Sequence, residues 1–375
     1  YNRSDDSQGQ PLMSSATQTS TRRDVLGVSA LRPDGVAKVS GSFEFSSDLH
    51  AENMLWGATL RSPHPYARLV NIDLSEAYKI LGVEAIITAD DVPGKKTYGL
   101  ISSDQPVFAS DFVRYVGEPV AAVAADHPET CRRALAAIKV QYEVLTPVTD
   151  AEIAILPTTE QIHPDGNLIR RQQIKIGDQN LQGEVVVEGI YEMGMQDQAF
   201  LGLEAALAIP DSGNNGIEMF VATQWLHEDR KQIAACLGFP DENVRITLGG
   251  VGGAFGARED ISLQVHCALL ALRTSRPIKM QYSREESFYG HVHRHPAKIY
   301  IKHHATRAGV IQRIEAKMIF DGGAYASTSA AVLINGVTHI QGPYRCENAT
   351  VDGYAVRTNN PPCGAMRGFG VVQAC

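Results

Sequence analysis

The residues of this 375-residue chain best suited to chemistry fall in three short stretches. The densest is Gly249-Gly250-Val251-Gly252-Gly253-Ala254-Phe255-Gly256-Ala257-Arg258-Glu259, where five of the eight residues from Gly249 to Gly256 are glycine. Glycine lets a backbone come close to a neighbour, and amides placed between a strand and a helix can face an anion. The run is not a dinucleotide fingerprint: Gly250-x-Gly252 would need glycine where Phe255 stands, and Gly253-x-x-Gly256 would need it where Val251 stands. It also lacks the Gly-Lys-Ser/Thr of a P-loop. The competing reading is a tight structural turn. For Glu259 it is a carboxylate at a helix N-terminus, satisfied by the helix dipole.

The second stretch, Asn359-Asn360-Pro361-Pro362-Cys363-Gly364-Ala365-Met366-Arg367-Gly368-Phe369-Gly370, sets an arginine and an aromatic ring among residues that favour irregular backbone. Such a loop can offer Arg367 to an anion and Phe369 to a planar ring, or it can be a surface turn with a solvated arginine. The third, Ala222-Thr223-Gln224, ends a strand with a neutral amide able to donate to an oxo group, although glutamine at a strand end is unremarkable by itself.

These stretches need elements to hold them. Short strands are expected over Met54–Leu60, Arg68–Leu74, Val83–Thr88 and Val116–Ala125, followed by a helix from His127 to about Ile138 and a strand over Val140–Leu145. Pro147 to Pro164 reads as a linker. Beyond it the pattern predicts strands at Glu184–Tyr191, Glu218–Ala222, Val244–Leu248, Ile278–Tyr282, Lys298–His303 and Val310–Phe320, with helices at about Glu228–Leu237 and Ile261–Leu272. The expected organisation is a flexible tail over residues 1–30, a first domain over 31–146, a linker over 147–165 and a second domain over 166–375. The class is α+β, and no internal repeat supports a solenoid or propeller.

Composition narrows the function. With 34 Lys and Arg against 42 Asp and Glu, a net charge of -8 and no basic block, nucleic acid is not an expected partner. No apolar run reaches the roughly 18 residues of a membrane helix, and Arg22-Arg23 lacks the apolar stretch that a twin-arginine signal needs. The six cysteines are scattered without Cys-x-x-Cys pairs, which speaks against an iron-sulfur or zinc centre and suits reduced thiols in a cytoplasm. The six histidines between His266 and His304 are irregularly spaced and read as surface or packing residues.

Taken in order, the Ala-Thr-Gln strand end, the glycine loop through Glu259, Arg284-Glu285-Glu286, Arg294-His295-Pro296, Asp321-Gly322-Gly323-Ala324-Tyr325 and Ala365-Met366-Arg367-Gly368-Phe369-Gly370 resemble the molybdopterin-binding subunit of the xanthine dehydrogenase and aldehyde oxidase family, the molybdenum hydroxylases. Arg32 to Gly41 and Leu60-Arg61-Ser62-Pro63-His64-Pro65 are similar to the start of that family's α/β-hammerhead domain, and Gly290 to Pro296 is most similar to the D-type subunits of bacterial xanthine dehydrogenases.

The resemblance implies an α/β-hammerhead domain followed by the first molybdopterin-binding domain. It implies a molybdenum-molybdopterin cofactor shared with another chain or segment, and a 2Fe-2S cluster and FAD on partner chains. Gln224, Phe255 and Arg367 would stand beside the metal. Gly253, Ala254, Phe255, Met366 and Arg367 would hold the cofactor, and Glu259, Asn335 and Phe369 would meet the substrate. The implied reaction is hydroxylation of a purine or related N-heterocycle of the xanthine or hypoxanthine type, with water as oxygen source. The implied partners are an Fe-S subunit, an FAD subunit and, where a partner completes the pocket, a second molybdopterin-domain chain, with a small heteroaromatic substrate and no membrane insertion.

Two departures bear on the substrate and the base. Asn335 falls where purine oxidisers often carry arginine, which keeps an aldehyde or nicotinate-type hydroxylase as the alternative. The family's general base, a glutamate of a downstream Gly-Glu motif, is not present in this chain, which also leaves open a truncated, non-catalytic subunit. Gly117-Glu118-Pro119 has the wording of that motif but lies before the first cofactor motif, and is read as a turn entering a strand.

Overall fold

The structure, a computed structural model, describes residues 27, 29–211, 213 and 215–375. Nearly all of the expected tail, with Arg22 and Arg23, lies outside the described residues. The described residues fall into two compact units, one ending at Phe43 and the other spanning Glu44–Cys375. The first contains a short helix, Gly35–Ser40, closed by Gly41 in the left-handed region.

In the second unit, strands from both sides of the expected linker share one seven-stranded sheet. Its order is Val244–Leu248, Gly216–Val221, Ala205–Asp211, Ile278–Gln281, Leu55–Arg61, Pro119–Ala125, Val83–Ile87. Leu55–Arg61 pairs parallel with Ile278–Gln281, with Leu55 opposite Ile278, and antiparallel with Pro119–Ala125. All seven residues of Pro119–Ala125 are buried, as its unbroken small apolar run requires of a strand covered on both faces. The helices Gln264–Thr274 and Leu226–Leu237 supply Val265, Leu269, Leu270, Ile233 and Leu237 to the main core.

A five-stranded sheet follows the order Val185–Met193, Ala297–Ala305, Ile311–Gly323, Ala349–Arg357, Leu168–Ile176. The helix Ser329–His339 packs Val332, Leu333 and Val337 onto Met318, Phe320 and Val351. Gly336 permits this approach, since a Cβ there would lie 2.9 Å from Phe320 Cζ. The strand Val185–Met193 is a sheet edge and exposes Val187, Ile190 and Tyr191. A three-stranded sheet with Ala67–Asp73 at its centre completes the hammerhead segment, beside the helix Pro128–Ala137, whose N-terminus is capped by His127 accepting from Glu129 N.

Most elements fall where the pattern placed them, with informative differences. The helix expected from Ile261 begins at Gln264, because Ala257–Glu259 forms a separate 3-10 turn that ends the glycine loop. The stretch read as a linker carries a helix, Ala151–Ala154, with Asp150 capping Glu152 N and Ile153 N. Asn359 accepts from Val148 N (2.9 Å), and Ala154 and Ile162 are buried, so this stretch is packed onto the sheet. Among the strands not read from sequence, Leu168–Ile176 and Ala349–Arg357 pair along their length with each other.

Candidate functional site

Three segments meet at a cavity of about 680 Å3. Gln224 and Trp225 come from the end of the Gly216–Val221 strand, Phe255, Gly256 and Glu259 from the glycine loop, and Ala365, Met366, Arg367 and Phe369 from the loop before the C-terminal turn. Thr328 and Ala331 of the Ser329–His339 region and Leu100 and Ile101 of the hammerhead segment close the remaining wall.

The glycine loop is fastened from below by Arg258. Its buried guanidinium donates to the carbonyls of Gly253 (2.9 Å), Ala222 (3.4 Å) and Gly202, and stacks 4.3 Å over the Phe200 ring. Gln224 fixes the upper side: its backbone N–H donates to Arg258 O (2.9 Å) and its Oε1 accepts from Gly256 N (3.1 Å). The amide NH2 of Gln224 is thereby turned outward as a donor, since its oxygen is already engaged.

The glycines serve the close packing of the loop, and one of them also lines the cavity. Gly252 packs backbone to backbone on Gly202, where a Cβ would lie 2.6 Å from Gly202 Cα, and a Cβ on Gly253 would meet Phe200 Cβ at 2.9 Å. These two glycines serve internal packing. Gly256 lines the cavity at φ +104, where a Cβ would lie 2.7 Å from Ala365 O.

The third segment is held by backbone and side chains together. Arg367 N donates to Phe255 O (2.8 Å), Gln198 Nε2 to Ala365 O (2.8 Å), and Arg294 Nη2 to Arg367 O (3.0 Å). The Arg367 guanidinium lies 5.2 Å from the centroid of the Phe255 ring, a cation–π contact. Both phenylalanines of the cavity sit at positive φ, Phe255 at 52 and Phe369 at 43, a conformation that costs a non-glycine residue free energy and that neighbouring contacts must hold.

Charge in the cavity is sparse. Glu259 is half-buried, and burial raises its pKa above the ordinary carboxylate value. It lies in the 3-10 turn, five residues before the helix Gln264–Thr274, so the helix-dipole reading of this carboxylate does not apply. Behind it, burial pushes Asp260 up to about 7, opposed by the Ser327 hydroxyl donating at 2.9 Å. Burial also lifts Asp229 to about 7.

Of the residues singled out from sequence, Gln224, Phe255, Glu259, Met366, Arg367 and Phe369 line this one cavity. Gly253 and Ala254 lie in the loop behind it, and Asn335 sits one helical turn beyond Ala331, outside the lining. Glu118 is buried elsewhere, accepting from Tyr325 OH and Arg114 N, a bond pair that ties the Pro119–Ala125 strand to the residues after Gly323. Sequence reasoning missed Trp225, Thr328, Ala331 and the pair Leu100 and Ile101, which carry no local signal and reach the cavity only through the fold. Of the histidines read as surface or packing residues, His291, His293 and His295 are buried, and the first two face carboxylates.

Comparison with known proteins adds an independent line. The model of the molybdopterin cofactor-binding domain matches residues 162–375, and that of the aldehyde oxidase and xanthine dehydrogenase a/b hammerhead domain matches residues 40–146. The chain is 39% identical over 345 residues to a probable xanthine dehydrogenase subunit of Bacillus subtilis, covering 91% of this chain but 46% of that protein. It is also 39% identical over 354 residues to the nicotinate dehydrogenase large molybdopterin subunit of Eubacterium barkeri, covering 93% of this chain and 83% of that subunit. Among solved structures, the aldehyde oxidoreductase of Desulfovibrio gigas superposes with a TM-score of 0.87 at 25% identity, over 92% of this chain and 40% of that one. Quinoline 2-oxidoreductase from Pseudomonas putida 86 does so with a TM-score of 0.84 at 26% identity, over 92% and 46%.

Proposed function

Because the chain belongs to the molybdenum hydroxylase family, with a hammerhead domain followed by a molybdopterin-binding domain, we propose that the cavity between the Gln224 strand end, the glycine loop and the Arg367 loop is where cofactor and substrate meet. The observation that carries this reading is that one cavity gathers Gln224, Phe255, Glu259, Arg367 and Phe369 from three separated segments.

The donor set fits the group. A molybdenum-molybdopterin cofactor presents oxo and phosphate oxygens, and the cavity offers the outward amide NH2 of Gln224 and the guanidinium of Arg367. Gly256 lines the cavity, and its missing side chain lets the glycine loop pack closely against Ala365 and Met366 of the Arg367 loop. When bound, the cofactor supplies the oxygen-transfer and two-electron chemistry that side chains cannot.

The chain's own residues then bind and orient. Arg367, braced on the Phe255 ring and by Arg294 through its carbonyl, holds negative charge in a fixed direction. Phe369 and Phe255 offer faces to a flat heteroaromatic ring. Glu259, with its raised pKa, hydrogen-bonds a ring N–H or N in either protonation state. The substrate class is a purine or related N-heterocycle. Among the described residues of the lining Arg367 is the one cation, and Asn335 lies outside it, which keeps the aldehyde or nicotinate-type alternative beside the purine reading.

In this reading the general base, the 2Fe-2S cluster and the FAD come from partner chains or further segments, and a second molybdopterin-domain surface completes the pocket. The chain spans 46% of the Bacillus subtilis relative and 83% of the Eubacterium barkeri subunit, and the latter is named as one subunit of a dehydrogenase. The exposed apolar residues Ile101, Trp225 and Phe255 at the cavity mouth suit such a covering surface.

The test is to purify this chain from its native host with whatever accompanies it, and to measure molybdenum, iron, flavin and dye reduction with hypoxanthine, nicotinate and an aromatic aldehyde. About one molybdenum per chain and reduction by one substrate class are expected. An intact complex without molybdenum would overturn the reading.

A further inference from the structure

Behind the glycine loop, on the side away from the cavity, a second group of polar side chains is gathered in the core. Asp197, Glu204, His291 and His293 come from two segments, and none of them lines the cavity. His291 Nε2 lies 3.1 Å from Asp197 Oδ2 and 3.6 Å from Glu204 Oε1, and His293 Nε2 lies 3.5 Å from the same Asp197 oxygen. One ligand atom each from Asp197, His291 and His293 fall within 4.8 Å of one another. The side chains of Glu204, His291 and His293 are 5%, 3% and 2% exposed.

The hydrogen bonding around this group is incomplete in a particular way. His291 Nδ1 stands 2.7 Å from Val292 O and must carry the proton of that bond, so Nε2 is the ring nitrogen that faces the two carboxylates and can hold a proton or a cation there. Among the described residues, His291 Nε2, Asp197 Oδ2 and both carboxylate oxygens of Glu204 have no hydrogen-bond partner. The other Asp197 oxygen, Oδ1, is engaged by Ala199 N at 2.6 Å. The nearby Arg258 directs its donors to the carbonyls of Gly253, Ala222 and Gly202 and none to Glu204. A buried ring nitrogen this close to carboxylate oxygens needs positive charge between them, which a proton on the ring or a metal cation at the centre supplies.

The spacing suits such a cation. With ligand bonds of about 2.0–2.2 Å, tetrahedral donors stand roughly 3.3–3.6 Å apart, and Asp197 Oδ2 lies 3.1 Å from His291 Nε2 and 3.5 Å from His293 Nε2, close to that range. Two imidazoles with one carboxylate match a borderline metal, Glu204 beside His291 adds a second negative charge, and His291 meets the requirement that a ligating histidine give its other N–H to a backbone carbonyl. His293 Nε2 also lies 2.7 Å from Phe288 O, so its ligation moves the ring proton to Nδ1, which has no partner among the described residues.

We propose that Asp197, His291 and His293 form a structural site for one divalent metal ion of the zinc class, distinct from the molybdenum cavity and with Glu204 beside His291. The ion would brace that cavity from behind. Gln198, next to Asp197, donates to Ala365 O (2.8 Å), His293 N donates to Pro362 O (3.1 Å), and Gly364 N donates to His293 O (2.9 Å), so the same residues set the position of the Arg367 loop.

The experiment uses the tag-free chain with its accompanying subunits, dialysed against a chelator and then offered Zn2+ alone, with metals counted by mass spectrometry. About one equivalent of zinc per chain is expected, in addition to molybdenum and iron, with a rise in the thermal midpoint over the stripped protein. Asp197→Asn and His291→Gln should each lose that equivalent. Where either variant fails to fold, the wild-type protein loaded with Co2+ decides instead: a visible d–d spectrum of nitrogen and oxygen ligation is expected. No zinc uptake by intact wild-type complex, uptake unchanged in folded variants, or cobalt without a specific spectrum would overturn the proposal. The first outcome would mean that a proton on His291 joins the carboxylates.

Discussion

Gly256→Ala is the sharpest single test of how the cavity is held. Gly256 sits at φ +104, beyond the narrow left-handed region open to alanine, and the added Cβ would lie 2.7 Å from Ala365 O and 3.0 Å from Met366 Cα. Those are backbone atoms, so relief requires the loop itself to move. The conformational part costs about 1–3 kcal/mol, and displacing the loop weakens the Gly256 N to Gln224 Oε1 and Arg367 N to Phe255 O bonds, each worth about 1 kcal/mol. A total of about 2–4 kcal/mol follows, with loss of bound molybdenum. Gly309→Ala supplies the control. Gly309 has φ +85 with nothing within 4 Å of its would-be Cβ, so only the conformational part applies, about 1–2 kcal/mol. Equilibrium denaturation read by fluorescence is suitable because Trp225, one of two tryptophans, lines the cavity. If Gly256→Ala were no more destabilised than Gly309→Ala and retained molybdenum, the close packing of the two loops would not be what positions the site.

Two further outcomes follow from charge. Asp229 is fully buried, and that burial lifts its pKa to about 7 from an ordinary value near 3.9, against the opposing pull of Thr223 and Gln264. The folded state therefore holds a proton that the unfolded state releases, so stability is full below about pH 4 and is lost as pH rises towards about 7. Asp229→Asn should flatten this slope, leaving the variant more stable than the parent at pH 8 by a few kcal/mol in order of magnitude, measured by denaturation at pH 5 and 8. A parallel slope in both proteins would refute it. Arg367→Lys keeps the charge but loses the planar fork and the stacking on Phe255, so molybdenum occupancy or kcat/KM should fall at least about tenfold, corresponding to about 1.4 kcal/mol, while Tm moves little because the side chain is exposed. Full occupancy and unchanged kinetics would remove Arg367 from the site.

The loops of the site were legible in the sequence because glycine and proline mark irregular backbone locally. Gln224, the glycine run and Arg367 to Phe369 each announce a break in periodicity, and the fold brings them together. What sequence could not show was contact across the fold. Leu100 and Ile101 are ordinary apolar residues until the hammerhead segment carries them to the cavity wall. The histidines at 291 and 293 have no metal spacing of their own, since their carboxylate neighbours lie nearly a hundred residues earlier at Asp197 and Glu204. The missed strands share a cause. Leu168–Ile176 is an edge strand with charged and amide residues on it and little buried surface, and Ala205–Asp211 is rich in alanine with a proline, poor in intrinsic strand preference, yet buried through pairing on both sides.

The seven-stranded sheet also sets a timetable for the newborn chain. Leu55 has its partner at Ile278, so the strand that joins the hammerhead segment to the rest of the sheet waits until the chain has been made as far as that residue. At about 5–20 residues per second, the interval is roughly 10–45 s, during which Leu55–Arg61 can pair only on its other side, with the all-apolar Pro119–Ala125. The half-sheet these two form with Val83–Ile87 has an open edge on the Leu55 side, the kind of surface that chaperones cover and that associates with other chains when they do not. Ribosome-associated chains stalled before and after residue 281 should therefore differ in protease resistance around Leu55, and the yield of this protein in a foreign host should depend more on the rate of translation than on the stability of the finished fold.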